Sequence, residues 1–322
     1  MTYEIPGATP RVIDVGDVAL SVYDAGPADG PAVVLSHGFP ELAYSWRRQI
    51  PALAERGYHV IAPDQRGYGG SGRPEAVTAY DIFHLTGDLA FVLDAFGHDD
   101  AVFVGHDWGG LVVWQMALLQ PERVAGVVGV NTPYIPRLPI KPIDLFRQAR
   151  GDSHYIVWFQ SPDVPDAALA SDVPLLFTRL LRTGVPPEEV QAATGGSANF
   201  MEAVVAGPAH GDALLDDQDL DVYVSEFERT GFTGGINWYR NMDRNWELTP
   251  EQDGARIDVP CLMVTAEWDP VLPPALAQGM PAVIDDLEVA LIERCGHWTQ
   301  QEQPAALNRL LLDWLGRRFP PG

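Results

Sequence analysis

Val102-Phe103-Val104-Gly105-His106-Asp107-Trp108-Gly109-Gly110 is an apolar run that ends in a Gly-x-Asp-x-Gly turn. A side chain at the tip of such a strand-to-helix turn stands at the top of a sheet, and small neighbours let the backbone bend sharply beneath it. The group placed there is a carboxylate. Esterases with a nucleophile at this point use serine, and the chain contains no Gly-x-Ser-x-Gly. A serine oxygen attacking a saturated carbon would leave an ether, with no carbonyl for water to attack. An aspartate leaves an ester, which an activated water can cleave, so the cycle closes through a covalent intermediate. The turn therefore points to displacement at an sp3 carbon. The competing reading of Asp107 is a helix N-cap, because Leu111, Val112, Trp114, Gln115 and Leu118 follow at helix spacing.

Around this turn, short β-branched runs alternate with helix-period segments. Ala32 to Ser36, Tyr58 to Ala62, Ala101 to Val104 and Val124 to Val130 read as strands. Between the second and third, Ile82 to Leu93 places Leu85, Leu89, Val92 and Leu93 on one helix face. This rhythm predicts an α/β fold with a mostly parallel central sheet flanked by helices, and Val12 to Tyr23 reads as an antiparallel hairpin at its edge.

After Val130 the rhythm breaks. Pro133, Pro136, Pro139 and Pro142 recur every third residue, which favours a stiff extended connector. From about Ile143 to Trp246 the chain reads as helices and loops, and strands resume at Pro260 to Val264 and Leu287 to Ile292, followed by a helix over Pro304 to Arg318. The expected division is a core of residues 1–133 and 251–322 with a helical cap, or lid, of residues 134–250 inserted between them. A pocket should form where that cap meets the carboxyl ends of the strands. Asp217, Asp219, Asp221 and Glu228 fall at calcium-loop spacing, but Val222 stands where the sharp-turn glycine belongs, so an acidic helix start is the better reading.

The 322 residues are 46% hydrophobic, enough for one large domain or a core with an insertion. A formal net charge of -23 argues against nucleic acid and anionic lipid as partners and suits an uncharged substrate. Cys261 and Cys295 show no CxxC spacing and read as ordinary thiols. The first residues carry neither a basic start nor an apolar core, and no apolar stretch is long enough to span a bilayer, so a cytoplasmic protein is expected.

Past the resumed strand comes Glu267-Trp268-Asp269-Pro270, and past the last strand Gly296-His297-Trp298. With Asp107 these give the chain order nucleophile, acid, histidine found in α/β-hydrolases. His297 would take a proton from water, and Asp269 would fix its tautomer and stabilise the imidazolium. Glu267, two positions earlier, is the alternative acid and should face the same way from a deeper position. The backbone amides of Phe39, in His37-Gly38-Phe39-Pro40, and of Trp108 are the candidate donors to the tetrahedral intermediate. The state of the Phe39-Pro40 bond stays open, although a cis bond would suit a tight turn.

With these residues in hand, the chain resembles the epoxide hydrolase family of the α/β-hydrolase fold. The matching stretches are His37 to Glu41, Pro63-Asp64-Gln65-Arg66-Gly67-Tyr68-Gly69, Gly105 to Gly110, Asn237-Trp238-Tyr239-Arg240-Asn241 and Gly296 to Gln300, which span core and cap alike. The resemblance implies two cap tyrosines, at Tyr155 and Tyr239, that hold and protonate the epoxide oxygen while Asp107 attacks from the opposite side. Spacing alone assigns both to packing, since Tyr155, Trp158 and Phe159, and likewise Tyr239, Met242 and Trp246, share helix faces. The expected substrates are an apolar epoxide and water, with a diol as product. Neither a metal nor an organic cofactor is required, and the oligomeric state stays open, a homodimer included.

Haloalkane dehalogenases share the aspartate, the histidine and the adjoining tryptophan, but hold the departing halide with side-chain donors, one of them at the position of Phe39, which offers none. A catalytically silent ligand-binding member of the fold is a further alternative, opposed by the intact nucleophile, acid and histidine.

Overall fold

The computed structural model describes residues 3–194 and 210–322. Among them β1 (Thr9–Asp14), β2 (Ala19–Ala25), β3 (Ala32–Ser36), β4 (His59–Pro63), β5 (Ala101–His106), β6 (Val124–Val130), β7 (Cys261–Ala266) and β8 (Leu287–Ile292) form one sheet in the order β1-β2-β4-β3-β5-β6-β7-β8. β1 and β2 are the expected edge hairpin, β2 runs antiparallel to β4, and the remaining neighbours are parallel. β3, β4 and β5 are buried at every residue. Burial on both faces is why they read as continuous apolar runs rather than alternating ones.

Helices α1 (Ile50–Ala54), α2 (Ile82–Phe96) and α3 (Trp108–Leu119) connect these strands. Asp81 caps α2 by accepting the His84 N–H at 3.2 Å, and Gly97 ends it in the left-handed conformation. The stripe Leu85, Leu89, Val92 and Leu93 is buried as its spacing predicts. α3 packs against β5 and β6 and buries Val112, Val113, Trp114 and Met116.

Residues 131–141 carry no regular element, and Pro142 opens a helix, Pro142–Arg150. Helices follow up to Met242–Leu248, with no named strand between β6 and β7 among the described residues. The acidic run is a helix start. Asp216 accepts the Asp219 N–H at 2.8 Å ahead of helix Asp217–Thr230, and Asp219 is engaged by Arg47 at 2.5 Å and by the Tyr44 hydroxyl at 2.7 Å. No helix among the described residues is long and apolar enough to cross a membrane.

A second tie runs through Arg66. Its carbonyl accepts the Trp238 indole N–H at 3.1 Å, while its buried guanidinium spans Asp88 (2.6 and 2.8 Å) and Asp17 (2.6 and 2.8 Å). Removing one partner of such a pair leaves a charge stranded out of water. Arg66→Met should lower unfolding free energy by roughly 3–5 kcal/mol, and adding Asp88→Leu should restore part of it. Urea denaturation measures both, and an unchanged midpoint in the single variant would show the pair to be inert.

Candidate active site

Because β3, β5, β6, β7 and β8 run parallel, the residues just past their carboxyl ends gather on one edge of the sheet. Asp107 follows β5 with φ 51° and ψ −121°, a positive-φ conformation that is uncommon for a residue with a Cβ. The turn closes only because its neighbours are small. A Cβ on Gly105 would lie 2.2 Å from the Gly109 oxygen, one on Gly109 2.1 Å from the Ser36 oxygen, and one on Gly38 2.4 Å from the Asp107 Cβ.

Asp107 occupies the N-cap position of α3 but makes no side-chain capping bond. Its Oδ1 accepts the Phe39 N–H at 2.9 Å and its Oδ2 faces His297 Nε2 at 3.6 Å. The capping alternative is therefore set aside. The Phe39-Pro40 bond is cis, and the Gly38 N–H donates to Glu41 at 3.1 Å. Trp108 opens α3, where first-turn amides have no partner within the helix.

His297 Nδ1 donates to Asp269 Oδ2 at 2.9 Å. The Asp269 carboxylate is fully engaged, since Oδ2 also accepts from Asn131 Nδ2 at 2.7 Å and Oδ1 accepts the Val271 and Leu272 amides at 2.8 and 2.9 Å. Glu267 departs from expectation. It is exposed rather than deep, and its carboxylate accepts the Arg294 N–H at 2.8 Å. Strand alternation stops describing the chain once β7 ends at Ala266, so a two-residue offset no longer preserves facing.

Burial works against ionising Asp107, yet hydrogen bonding and charge from His297, with His106 and the Phe39 amide, hold its carboxyl below the usual carboxylate value. Asp269 is lowered in the same way, chiefly by His297 against the cost of burial. Burial likewise disfavours a charged His297, but the carboxylates of Asp269 and Asp107 raise it well above an ordinary histidine. The three groups thus form a buried carboxylate–imidazolium–carboxylate array.

Tyr155 opens the short helix Tyr155–Trp158, and Tyr239 lies in helix Thr233–Arg240. Their ring centroids stand 5.9 Å apart, and Tyr239 meets Trp108 edge to face at 4.9 Å and Phe39 at 5.4 Å. With Asp107 and Trp108 they line a largely apolar cavity of about 270 Å³. Burial, and after it the Asp107 charge, raises both phenols, so they are protonated donors. The packing contacts read from spacing are also present: Tyr155 meets Phe159 at 5.7 Å, and Met242 and Trp246 share the cavity wall. Cys261 and Cys295 are buried and unpaired, with burial pushing both thiols up to about 12.

Two supporting groups escaped the sequence reading. Asn131, at φ 63° just past β6, holds the acid. A polar residue at a strand's carboxyl end was the available signal, the same one that marks Asp107 and Asp269. His106 joins Glu41 through Nδ1 at 2.7 Å and donates through Nε2 to the His297 carbonyl at 2.7 Å, tying the Phe39 loop to the histidine loop.

Residues 31–304 match the family model described as the alpha/beta hydrolase fold. Over 95% of its length the chain is 47% identical to epoxide hydrolase A of Mycobacterium tuberculosis, covering 97% of that protein. It is 42% identical to bifunctional epoxide hydrolase 2 of Sus scrofa over 89% of this chain and 51% of that one. The crystal structure of epoxide hydrolase A from Mycobacterium thermoresistibile superposes with a TM-score of 0.89 at 46% identity, covering 96% of this chain and 98% of that one. The chain belongs to the alpha/beta hydrolase family, within its epoxide hydrolases.

Proposed function

We propose that the protein converts apolar epoxides and water to vicinal diols through an alkyl ester on Asp107, beneath a cap of residues 134–250 that closes over a core of residues 1–133 and 251–322. The observation that carries this reading is the division of labour at Asp107, with Oδ1 on the Phe39 amide and Oδ2 3.6 Å from His297 Nε2, in a residue that lines one cavity with Tyr155 and Tyr239. The names of its relatives support the substrate class.

Attack falls to Oδ2, because Oδ1 is already held. The epoxide oxygen would lie on the two phenols, which supply the proton that an alkoxide leaving group needs at neutral pH. The ester then keeps Oδ1 as its carbonyl oxygen, already on a donor, and the Trp108 amide completes the pair that receives the tetrahedral oxyanion. Esterification removes the Asp107 charge. One of the two carboxylates that hold the proton on His297 is thereby lost, and the imidazole becomes a base when a water must be activated. Asp269 retains its tautomer throughout. Phe39 supplies no side-chain donor for a departing halide.

His297→Gln should slow ester hydrolysis by about 10²–10⁴-fold, far more than it slows ring opening, so intact-mass spectrometry after brief exposure to an aryl epoxide should show one adduct, absent when Asp107→Asn is added. An unlabelled His297→Gln protein would contradict the scheme. In rapid-quench experiments ester hydrolysis should fall as the pH is lowered and the imidazole, whose hold on its proton Asp269 still strengthens, is reprotonated, while ring opening, which needs only ionised Asp107 and neutral phenols, should stay flat. Replacing Tyr155 and Tyr239 together by Phe should slow ring opening by about 10²–10⁴-fold and change the hydrolysis of a preformed ester far less.

A further inference from the structure

The cavity does not end at the nucleophile. Leu111 and Gln115 lie one turn apart on the same face of α3, the helix that Asp107 precedes, and all three residues line the cavity. At the distal end, Gln252 Nε2 donates to Gln115 Oε1 at 2.6 Å. Two primary amides joined by one hydrogen bond leave one carbonyl oxygen and one amide nitrogen turned elsewhere. Exchanging nitrogen and oxygen on both side chains leaves the same complement, so the conclusion holds for either assignment. Among the described residues neither Gln115 Nε2 nor Gln252 Oε1 has another partner, although Gln252 is only 7% exposed. Their hydrogen bond is only part-buried and the surrounding wall is largely apolar, so these two atoms are among the few polar groups along the cavity.

We propose that Gln115 and Gln252 form a distal subsite that binds a neutral group able both to donate and to accept a hydrogen bond, a hydroxyl or a carboxamide, carried by the epoxide substrate. This rests on the epoxide hydrolase reading above and specifies its substrate. Eight residues of helix at 1.5 Å each place the subsite about 12 Å from Asp107. An extended chain advances about 3.5 Å over three bonds, so the two ends of the substrate stand roughly ten bonds apart. A carboxylate, which only accepts, fits poorly against the amide carbonyl and enters a chain of net charge -23. Arg137, also on the wall, donates to the Trp246 carbonyl at 2.7 Å with its guanidinium 3.9 Å above the Trp246 ring, so the carboxylate belongs in the test.

The test is kcat/KM for terminal epoxides whose far end is methyl, hydroxyl, carboxamide or carboxylate, across spacers of about five to fifteen bonds. The wild-type protein should favour hydroxyl and carboxamide over methyl by about tenfold, the scale of one neutral hydrogen bond, with a maximum near ten bonds and the difference in KM rather than kcat. Gln115→Leu/Gln252→Leu removes both amides, so neither is orphaned, and should erase that preference while leaving turnover of a short aryl epoxide unchanged. Equal rates for all four chain ends, or a carboxylate preference that survives the double variant, would overturn the subsite while leaving epoxide hydrolysis standing. Failure to hydrolyse any epoxide would overturn both. Should the double variant not fold, the spacer dependence in the wild-type protein decides the matter alone.

Discussion

A carboxylate taken out of water must be kept ionised by something else, and most of the local structure around Asp107 answers that requirement. Two buried carboxylates flank one imidazole, which lowers both acids and raises the base. The array is tolerable only because its hydrogen-bonding capacity is filled. Asp269 takes two backbone amides and the Asn131 side chain besides His297, and Asp107 takes the Phe39 amide. Without those donors, burial would favour neutral acids and a neutral histidine, and the nucleophile would be lost.

Steric limits reinforce the electrostatic ones. Gly38, Gly105 and Gly109 sit where any side chain would collide with Asp107 itself or with backbone atoms. The same closeness brings the Phe39 amide within hydrogen-bonding distance of the carboxylate. Geometry that permits the positive-φ residue therefore also supplies the donor, so nucleophile and anion-stabilising amide are one construction. His106 extends it by binding Glu41 on one side and the His297 carbonyl on the other.

Much of the fold was legible in the chain because buried parallel strands have an unmistakable composition: Ala32–Ser36 and Val124–Val130 appear where their apolar runs lie, as do the more exposed edge strand Leu287–Ile292 and helix Pro304–Arg318. Asp107, Asp269 and His297 were legible because each follows such a strand, and the structure brings them together. Tyr155 and Tyr239 were not legible from spacing, since a helix face that lines a cavity has the same periodicity as one that lines a core. Glu267 was misplaced because alternation fails once the backbone leaves the sheet. Asn131, and the Gln115–Gln252 pair, depend on which distant segments become neighbours.

Parallel pairing across the insertion joins Val127 to Cys261, more than a hundred residues away, and Asp269 and His297 both lie beyond that closure. Long-range pairings of this kind carry a large loop-closure entropy and form slowly. No early, locally ordered fragment of the chain holds the acid, the base and the nucleophile at once. Regained turnover is thus a stringent report of complete refolding, more demanding than recovered helicity.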